Sequence, residues 1–447
     1  MQEPVYRVMI LLCAVVRAVP IGTNLGLGCV LWMLVSGRLL ATRGAVIPGL
    51  SATGLPAPAV RRAWAALGQG QWTSAALLAN WRAVVAAEGH WQVHTHEGYH
   101  AVAGDVTGFW RPRLRGCRTT HYDGRAGKAL PAIPVGLIAR VGSVGSQRLG
   151  LPLALVRAAP ADPSVAAHER ALLREAVRVA GADDAVVVDA GLGVRALQEA
   201  GATTYVARGA KNFTARQAQP PAYPGRGRPA TRGPLVRPLA RTYRGRELPA
   251  TPPDHVTTWS EGEWVIRAEV WEDLVRADAA AGSPPFRVAV IHDPRWHEPL
   301  LLVSPLAVSP RALRDLYHDR WPVEQLPLAA KQMVGASRQF VSAPETCQRL
   351  PEIALLAGAI LSYAAATQPA VPTGFWDRRP QPTPGRLRRV LAQAPFPKEF
   401  PWPAHIREKA VVTGHLPKGW FGQRRRRTAA AAGPSAAPPS LPQHEAA

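Results

Sequence analysis

The sequence predicts an α/β protein with a mixed sheet, preceded by a helical N-terminal region. Three observations predict it. Apolar residues recur at helical spacing through residues 1–90, with few strand signals. From residue 92 the period changes, and apolar runs bounded by Gly or Pro take over. Those runs then alternate with two helical patterns, so three strands, a helix, a strand, a helix and a strand follow in order.

The elements are justified in turn. Val60–Leu67 and Ser74–Ala87 carry helical periodicity, with Gly68 and Gly70 between them as stops. Arg38–Leu67 fits a helix-turn-helix with Arg61 and Arg62 on its second helix and Ser51-Ala52-Thr53-Gly54 as the turn. A plain helical hairpin with solvated arginines fits the same residues. His94–His96 and then Tyr99–Gly104 read as a strand that ends at Asp105, and Ala132–Gly142 and Arg148–Arg157 as two more. Val165–Ala180 is a helix with Glu169, Arg170, Arg174 and Glu175 on its wet side. Ala185–Val188 is a short apolar run, typical of a buried strand, and it ends at Asp189. A helix over Val194–Ala200 and a strand over Thr203–Arg208 follow.

The composition then changes abruptly. Lys211–Arg246 holds nine Lys or Arg and no Asp or Glu, with Phe213, Tyr223 and Tyr243 among many Pro and Gly. It cannot build a core alone. Strand-like segments come next at Trp259, Trp264–Val270, Phe286–His292 and Leu300–Ser304. Ser309-Pro310 supplies an N-cap and a first-turn proline, so a helix starts there. Gln348–Thr367 is a mostly apolar helix. The chain after Gln368 is Pro-rich and basic, and its end, with Arg424–Arg427 and an Ala/Pro tract, reads as disordered. The predicted regions are therefore 1–90, 91–210, 211–308, 309–370 and 371–447.

Composition narrows the function. The chain has 447 residues, enough for two to four domains, and 47% of them are hydrophobic, which excludes a wholly disordered chain. Lys plus Arg number 53 against 31 Asp plus Glu, a formal charge of +22. Such an excess calls for a polyanionic partner, nucleic acid first and an anionic membrane surface second. Cys13, Cys29, Cys117 and Cys347 form no CxxC, which argues against a disulfide framework or a Cys-rich zinc site and fits a cytoplasmic chain. Val8–Val35 is the one membrane-like stretch, but Arg17, Pro20, Asn24 and three glycines break it well short of the ~18 apolar residues a spanning helix needs. Glu3 offsets Arg7, so no signal-peptide n-region is evident. No membrane partner is expected.

Three acids in three elements carry the chemistry: Asp105, Asp189 and Glu324. Acids at the ends of adjacent buried strands converge on one sheet edge, and converging carboxylates repel unless a cation neutralises them. Oxygen-rich sites of this type suit Mg²⁺ or Mn²⁺. Two such ions serve phosphoryl transfer. Glu324 lies in the run Tyr317-His-Asp-Arg320-Trp-Pro-Val-Glu324, which continues to Lys331. At 100° per residue Tyr317, Arg320, Glu324 and Lys331 fall within about 60° of one another. In that arrangement Glu324 holds metal while Arg320 and Lys331 hold phosphate oxygens. A solvated helix face with one Arg320–Glu324 ion pair is the plainer reading of the same stripe.

The spacing Y-x2-R-x3-E-x6-K resembles the signature of bacterial cut-and-paste insertion-sequence transposases of the DDE type. Ala103-Gly-Asp105-Val-Thr-Gly and Val188-Asp189-Ala-Gly-Leu-Gly look like the two Asp motifs of that family, and Tyr205-Val-Ala-Arg208 looks like their continuation. The resemblance covers about residues 90–370. It implies an RNase H-like core, with Asp105, Asp189 and Glu324 as a triad holding two Mg²⁺, or Mn²⁺, ions. It also implies binding of the element's terminal repeats, cleavage by water, attack of the freed 3′-hydroxyl on target DNA, and a homodimer on DNA. An RNase H-like nuclease without strand joining and an inactive DNA-binding derivative are the alternatives. Trp321 is similar in position to an aromatic that holds a flipped base in relatives, and a buried core Trp is the competing reading; Trp296 is a weaker candidate of the same kind. Ala190 stands where related proteins often carry Arg.

Further expectations follow from spacing. Asp189 and Glu324 lie 135 residues apart, so residues 211–308 are inserted between them. The block is expected to lie outside the sheet, with Arg226, Arg228, Arg232, Arg237 and Arg241 facing a DNA channel. Pro322 and Pro327 interrupt the signature, and Pro322 is placed to open a new helix with Glu324 near its start. His94, His96, Glu97 and His100 raise a zinc reading, with His94 and His96 on one strand face, but no further His or Cys completes a recognised spacing. Gly191-Leu-Gly193 lacks the third glycine of a dinucleotide loop, and Gly127-Lys128 lacks the rest of a P-loop.

Overall fold

The computed structural model describes residues 2–407 except 224, 227–229, 280, 281 and 373. Arg228 and the tail with Arg424–Arg427 therefore lie outside the described residues. Residues 1–407 form one compact unit.

Six helices come first: α1 (Glu3–Val16), α2 (Asn24–Val35), α3 (Arg38–Ala41), α4 (Val46–Ser51), α5 (Ala57–Gln69) and α6 (Ser74–Glu88). The membrane-like stretch is thus two helices, broken around Pro20 and Gly22, whose φ of +96° suits glycine. Then come β1 (Trp91–Val93), β2 (His100–Trp110), β3 (Thr120–Asp123), β4 (Lys128–Val144), β5 (Gln147–Arg157), α7 (Val165–Val179), β6 (Asp184–Val188), α8 (Val194–Glu199) and β7 (Tyr205–Arg208). The order strand, strand, strand, helix, strand, helix, strand holds as the sequence predicts, and β1 and β3 are short additions beside β4.

These strands form a mixed sheet. β5 and β2 flank β4 and run antiparallel to it, while β6 runs parallel to β2 and β7 parallel to β6. Crossovers of the parallel part run through α7 and α8, as parallel neighbours require. Every residue of β6 is buried, the pattern of a strand covered on both faces. Val186 and Val188 face a core with Leu172 and Leu173 of α7 and Leu197 of α8, whereas Ala185 and Val187 face the opposite core. Burying one such Val or Leu contributes about 2 kcal/mol.

The block after β7 corrects the expectation that it lies outside the sheet. It contains β8 (Ala215–Gln217), β9 (Leu235–Val236), the hairpin β10 (Arg241–Tyr243) and β11 (Arg246–Leu248), then β12 (His255–Glu261), β13 (Trp264–Arg276), β14 (Phe286–His292) and β15 (Leu300–Ser304). β15 pairs with the free edge of β7, and β14, β13, β8 and β9 continue the same sheet. The physical reason is the edge of β7: its unpaired N–H and C=O groups need partners, and the apolar β15 supplies them. Among the described strands, those of the β10–β11 hairpin stand apart from the sheet.

The chain closes with α9 (Pro310–His318), α10 (Trp321–Leu328), a π-helical turn over Ala329–Met333, α11 (Pro344–Ala366) and α12 (Pro384–Gln393). Ser309 caps α9 through its side chain, which accepts from the Ala312 N–H. α9 covers the sheet face opposite α7 and α8. α11 shares one core with the N-terminal helices and with Phe109, Val135 and Leu137 of the sheet. By length and composition α11 would suffice to cross a membrane, but 83% of its most apolar window is buried inside the protein.

Candidate active site

β2 and β6 pair in parallel from His100↔Asp184 to Ala103↔Val187. Asp105 and Asp189 each lie two residues past that last pair, level with each other at one edge. Asp189 follows β6, as the sequence predicts. Asp105 does not end its strand: β2 runs on to Trp110 because β4 keeps pairing with it, Asp105 opposite Leu137. This corrects the placement of Asp105 but leaves it beside Asp189.

α9 brings Tyr317 to the pair, and its hydroxyl donates to Asp189 Oδ1 at 3.1 Å. The helix ends at Asp319. A new one starts at Trp321, with Pro322 in the first turn, where its missing N–H costs nothing, and Glu324 in the same turn. Arg320 at the junction is 6% exposed. Its Nη1 donates to Glu324 Oε1 at 2.7 Å, and its Nη2 lies 3.7 Å from Asp189 Oδ2. Arg208, at the end of β7, approaches Asp189 Oδ1 at 3.7 Å. The carboxylates of Asp189 and Glu324 are both half exposed.

Pro327 has no N–H for the helix ladder, and the chain widens into the π-helical turn that carries Lys331. The Lys331 ammonium donates to Thr107 Oγ1 at 2.7 Å and lies 5.2 and 4.7 Å from the ring centroids of Phe109 and Trp110. Thr107 is two residues beyond Asp105. All four signature side chains therefore surround the two aspartates, although the helix carrying them is broken.

Electrostatics bind the group together. Burial raises the Asp105 pKa; the Val106 N–H and Arg320 oppose the rise, while Glu324 and Asp189 add to it. Burial, then the Asp189 charge, raise Tyr317. Burial pushes Lys331 down to about 8, with Asp105 the charge that opposes the fall.

A cleft of about 320 Å³ opens beside the acids, lined by Arg208, Tyr317, Arg320, Trp321, Trp296 and neighbours. Trp296 and Trp321 are 58% and 52% exposed, so Trp321 is not a core residue. The insertion arginines are elsewhere. Arg226 and Arg232 are exposed and Arg237 and Arg241 half-buried, around the edge strand β9 and the β10–β11 hairpin. None of these four pairs with the three acids. The Arg241 guanidinium instead donates to the Asn212 carbonyl.

The histidine cluster resolves differently. His94 Nδ1 lies 3.0 Å from Asp319 Oδ1 and His96 Nε2 2.8 Å from Oδ2, and Arg148 pairs with the same carboxylate. His94 Nε2 meets Ser143 Oγ at 2.6 Å. Glu97 instead accepts from the N–H and hydroxyl of Ser309, and His100 Nδ1 contacts the His94 carbonyl. Among the described residues, His94, His96 and Asp319 are the one trio with metal-binding atoms all within 4.8 Å of one another. The Arg148 guanidinium also pairs with Asp319, so the carboxylate joins one ion pair and two histidine hydrogen bonds in a single knot. It fixes the corner between α9 and α10, one residue before Arg320.

Sequence reasoning missed Arg208 as an acid partner, and the same strand-end rule that found Asp189 points to it on the adjacent strand. It also missed Thr107, Trp110 and Asp319. No known protein-family model matches the chain, and no curated protein is similar to it.

Proposed function

We propose that the chain is a DDE-type transposase that binds the terminal inverted repeats of its element, cleaves them and joins them to target DNA. The observation that carries this reading is the enclosure of Asp105, Asp189 and Glu324 by Tyr317, Arg320 and Lys331. The mixed order β5-β4-β2-β6-β7, with acids just past the β2–β6 pairing, supports an RNase H-like core.

The donor set fits Mg²⁺ or Mn²⁺. It is all oxygen, comes from three elements and leaves two carboxylates open to solvent. Burial is the main cause of the raised Asp105 pKa, and the Glu324 and Asp189 charges add to it against the Val106 N–H and Arg320. Asp105, Asp189 and Glu324 would hold the ions, which supply nucleophile activation and leaving-group stabilisation in phosphoryl transfer. The chain's own residues do the rest. Tyr317 orients Asp189 by its hydrogen bond. Arg320, now on Glu324, and Lys331, now on Thr107, each give a cation to the nonbridging oxygens of the scissile phosphate. The Trp296–Trp321 cleft offers two indole faces on which a base displaced from the duplex stacks.

The test uses DNA from either side of the gene, in which the reading expects short inverted repeats. Wild-type protein with Mg²⁺ is expected to cut at the repeat and yield joined products with a second duplex. Glu324→Gln keeps size and hydrogen bonding, and is expected to lose cleavage by at least a thousandfold while gel-shift affinity survives, because phosphate contacts over the whole surface carry it. Cutting by Glu324→Gln at the wild-type rate refutes the metal-ligand role. Cutting without joined products favours the nuclease reading.

A further inference from the structure

Beyond the acids lies a second, larger cleft, of about 1,030 Å³, with no acid in its lining. One wall is the segment after β2, residues 111–115. The other is the loop after the π-helical turn, residues 337–342. The buried Arg111 ties the walls together by donating to Gln339 Oε1 and to the Val341 carbonyl. The second wall is also held from outside. The Phe340 N–H donates to the Gly44 carbonyl, and a Cβ on Gly44 would sit 2.2 Å from the Arg338 carbonyl oxygen, so only glycine admits this approach.

The surface of this fixed cleft is basic and carries one exposed aromatic ring. Arg113, Arg115 and Arg338 are exposed and, among the described residues, none pairs with an acid. Other arginines, such as Arg148, Arg157, Arg287, Arg295 and Arg314, are paired with acids, whereas the three in this cleft face it without one. Phe340 stands 71% exposed at the rim. The indole N–H of Trp110, in the lining, has no acceptor. Trp110 is also the residue over which the Lys331 ammonium sits, five positions along β2 from Asp105. At about 3.3 Å per residue that is roughly 17 Å, half a turn of B-DNA.

We infer that this cleft seats the acceptor duplex, a DNA segment of no fixed sequence. The inference rests on the transposase reading for the word acceptor, and on charge complementarity for the DNA. Unpaired guanidiniums contact phosphates irrespective of sequence, and an exposed phenyl stacks on any base. The one amide in the lining, Gln339, is buried and already used by Arg111 and the Ala336 carbonyl, so the cleft has no free Asn or Gln to read adenine.

The test measures binding of the full chain to a random-sequence 20-bp duplex, by anisotropy across a salt series, without metal. The triple variant Arg113→Ala, Arg115→Ala, Arg338→Ala is expected to bind on the order of tenfold or more weakly, and its log–log salt slope to fall by about three, one per lost phosphate contact. A photo-crosslinking benzophenone amino acid in place of Phe340 is expected to capture the same duplex. Urea midpoints of the variants check that the fold is intact. An unchanged slope, or a loss confined to a repeat-bearing duplex, overturns the acceptor assignment. Since no cleavage is measured, this outcome is independent of whether Glu324→Gln abolishes cutting.

Discussion

Lys331 is held where a lysine is expensive, and Lys331→Met tests that directly. Its ammonium lies against two aromatic rings, and burial lowers its pKa from 10.5 to about 8. At about 1.4 kcal/mol per tenfold, the charged form costs the fold about 3 kcal/mol below pH 8. Methionine is nearly as long, loses the charge and gains a sulfur–aromatic contact. Against that gain stand the lost cation–π attraction, about 1 kcal/mol, and the hydroxyl of Thr107, buried and left without its donor, about 1 kcal/mol more. Lys331→Met is therefore expected to be more stable than wild type by about 1 kcal/mol at pH 7. The sign changes with pH. Between about 8 and 10.5 the unfolded chain binds more protons than the folded one, so wild-type stability rises with pH through that window. Above it the penalty and the cation–π attraction are both gone, and the hydrogen bond to Thr107 alone favours wild type, by about 1 kcal/mol. Urea unfolding at pH 7 and at pH 10.5 reads both regimes. A difference that does not vary with pH, or a wild type already more stable at pH 7, refutes the reasoning.

Two further outcomes are expected. Trp321→Ala should weaken binding of a DNA end carrying 2-aminopurine by about 1–3 kcal/mol and suppress its fluorescence change, with urea stability within about 0.5 kcal/mol of wild type because the ring is exposed. Burial alone would raise the Asp319 carboxyl, but hydrogen bonds from His96 and His94 and the Arg148 charge hold it below its ordinary 3.8; its stabilisation is therefore present above pH 3.8 and lost as pH falls through the lower folded value, and Asp319→Asn should cost about 3 kcal/mol at pH 7 and flatten the acid limb of the urea midpoint.

Much of this was legible because local rules sufficed. Phe286–His292 and Leu300–Ser304 are strands at the bounds their apolar runs predict, and Ser309 and Pro322 open helices where capping and proline chemistry place them. What failed depends on pairing partners. Asp105 sits mid-strand because β4 extends far enough to hold β2 to Trp110, and no feature near Asp105 states the length of β4. The insertion joins the sheet because β7 offers an edge, which the insertion's own composition does not reveal. Asp319 meets His94 across 225 residues, and only the folded corner brings them together.

The signature's residue types match the reach that its broken path demands. A straight helix from Tyr317 to Lys331 would rise about 21 Å over 14 residues at 1.5 Å each. Their targets are closer. Ala103 pairs with Val187, so Asp189 is level with Asp105, and Thr107 lies two residues further on the next strand, about 8 Å from Asp189 by sheet spacings. Tyr317 and Lys331, at the ends of the run, have long side chains that lean inward to Asp189 and Thr107. Arg320 and Glu324, in the middle, need only meet each other and Asp189. The turn at Asp319, fixed by two histidines and Arg148, and the widened turn after Pro327 set the angles of those two ends. The Y-x2-R-x3-E-x6-K spacing thus acts as a set of reaches measured from the edge of β2 and β6, which is why it survives two prolines that a single helical stripe would not.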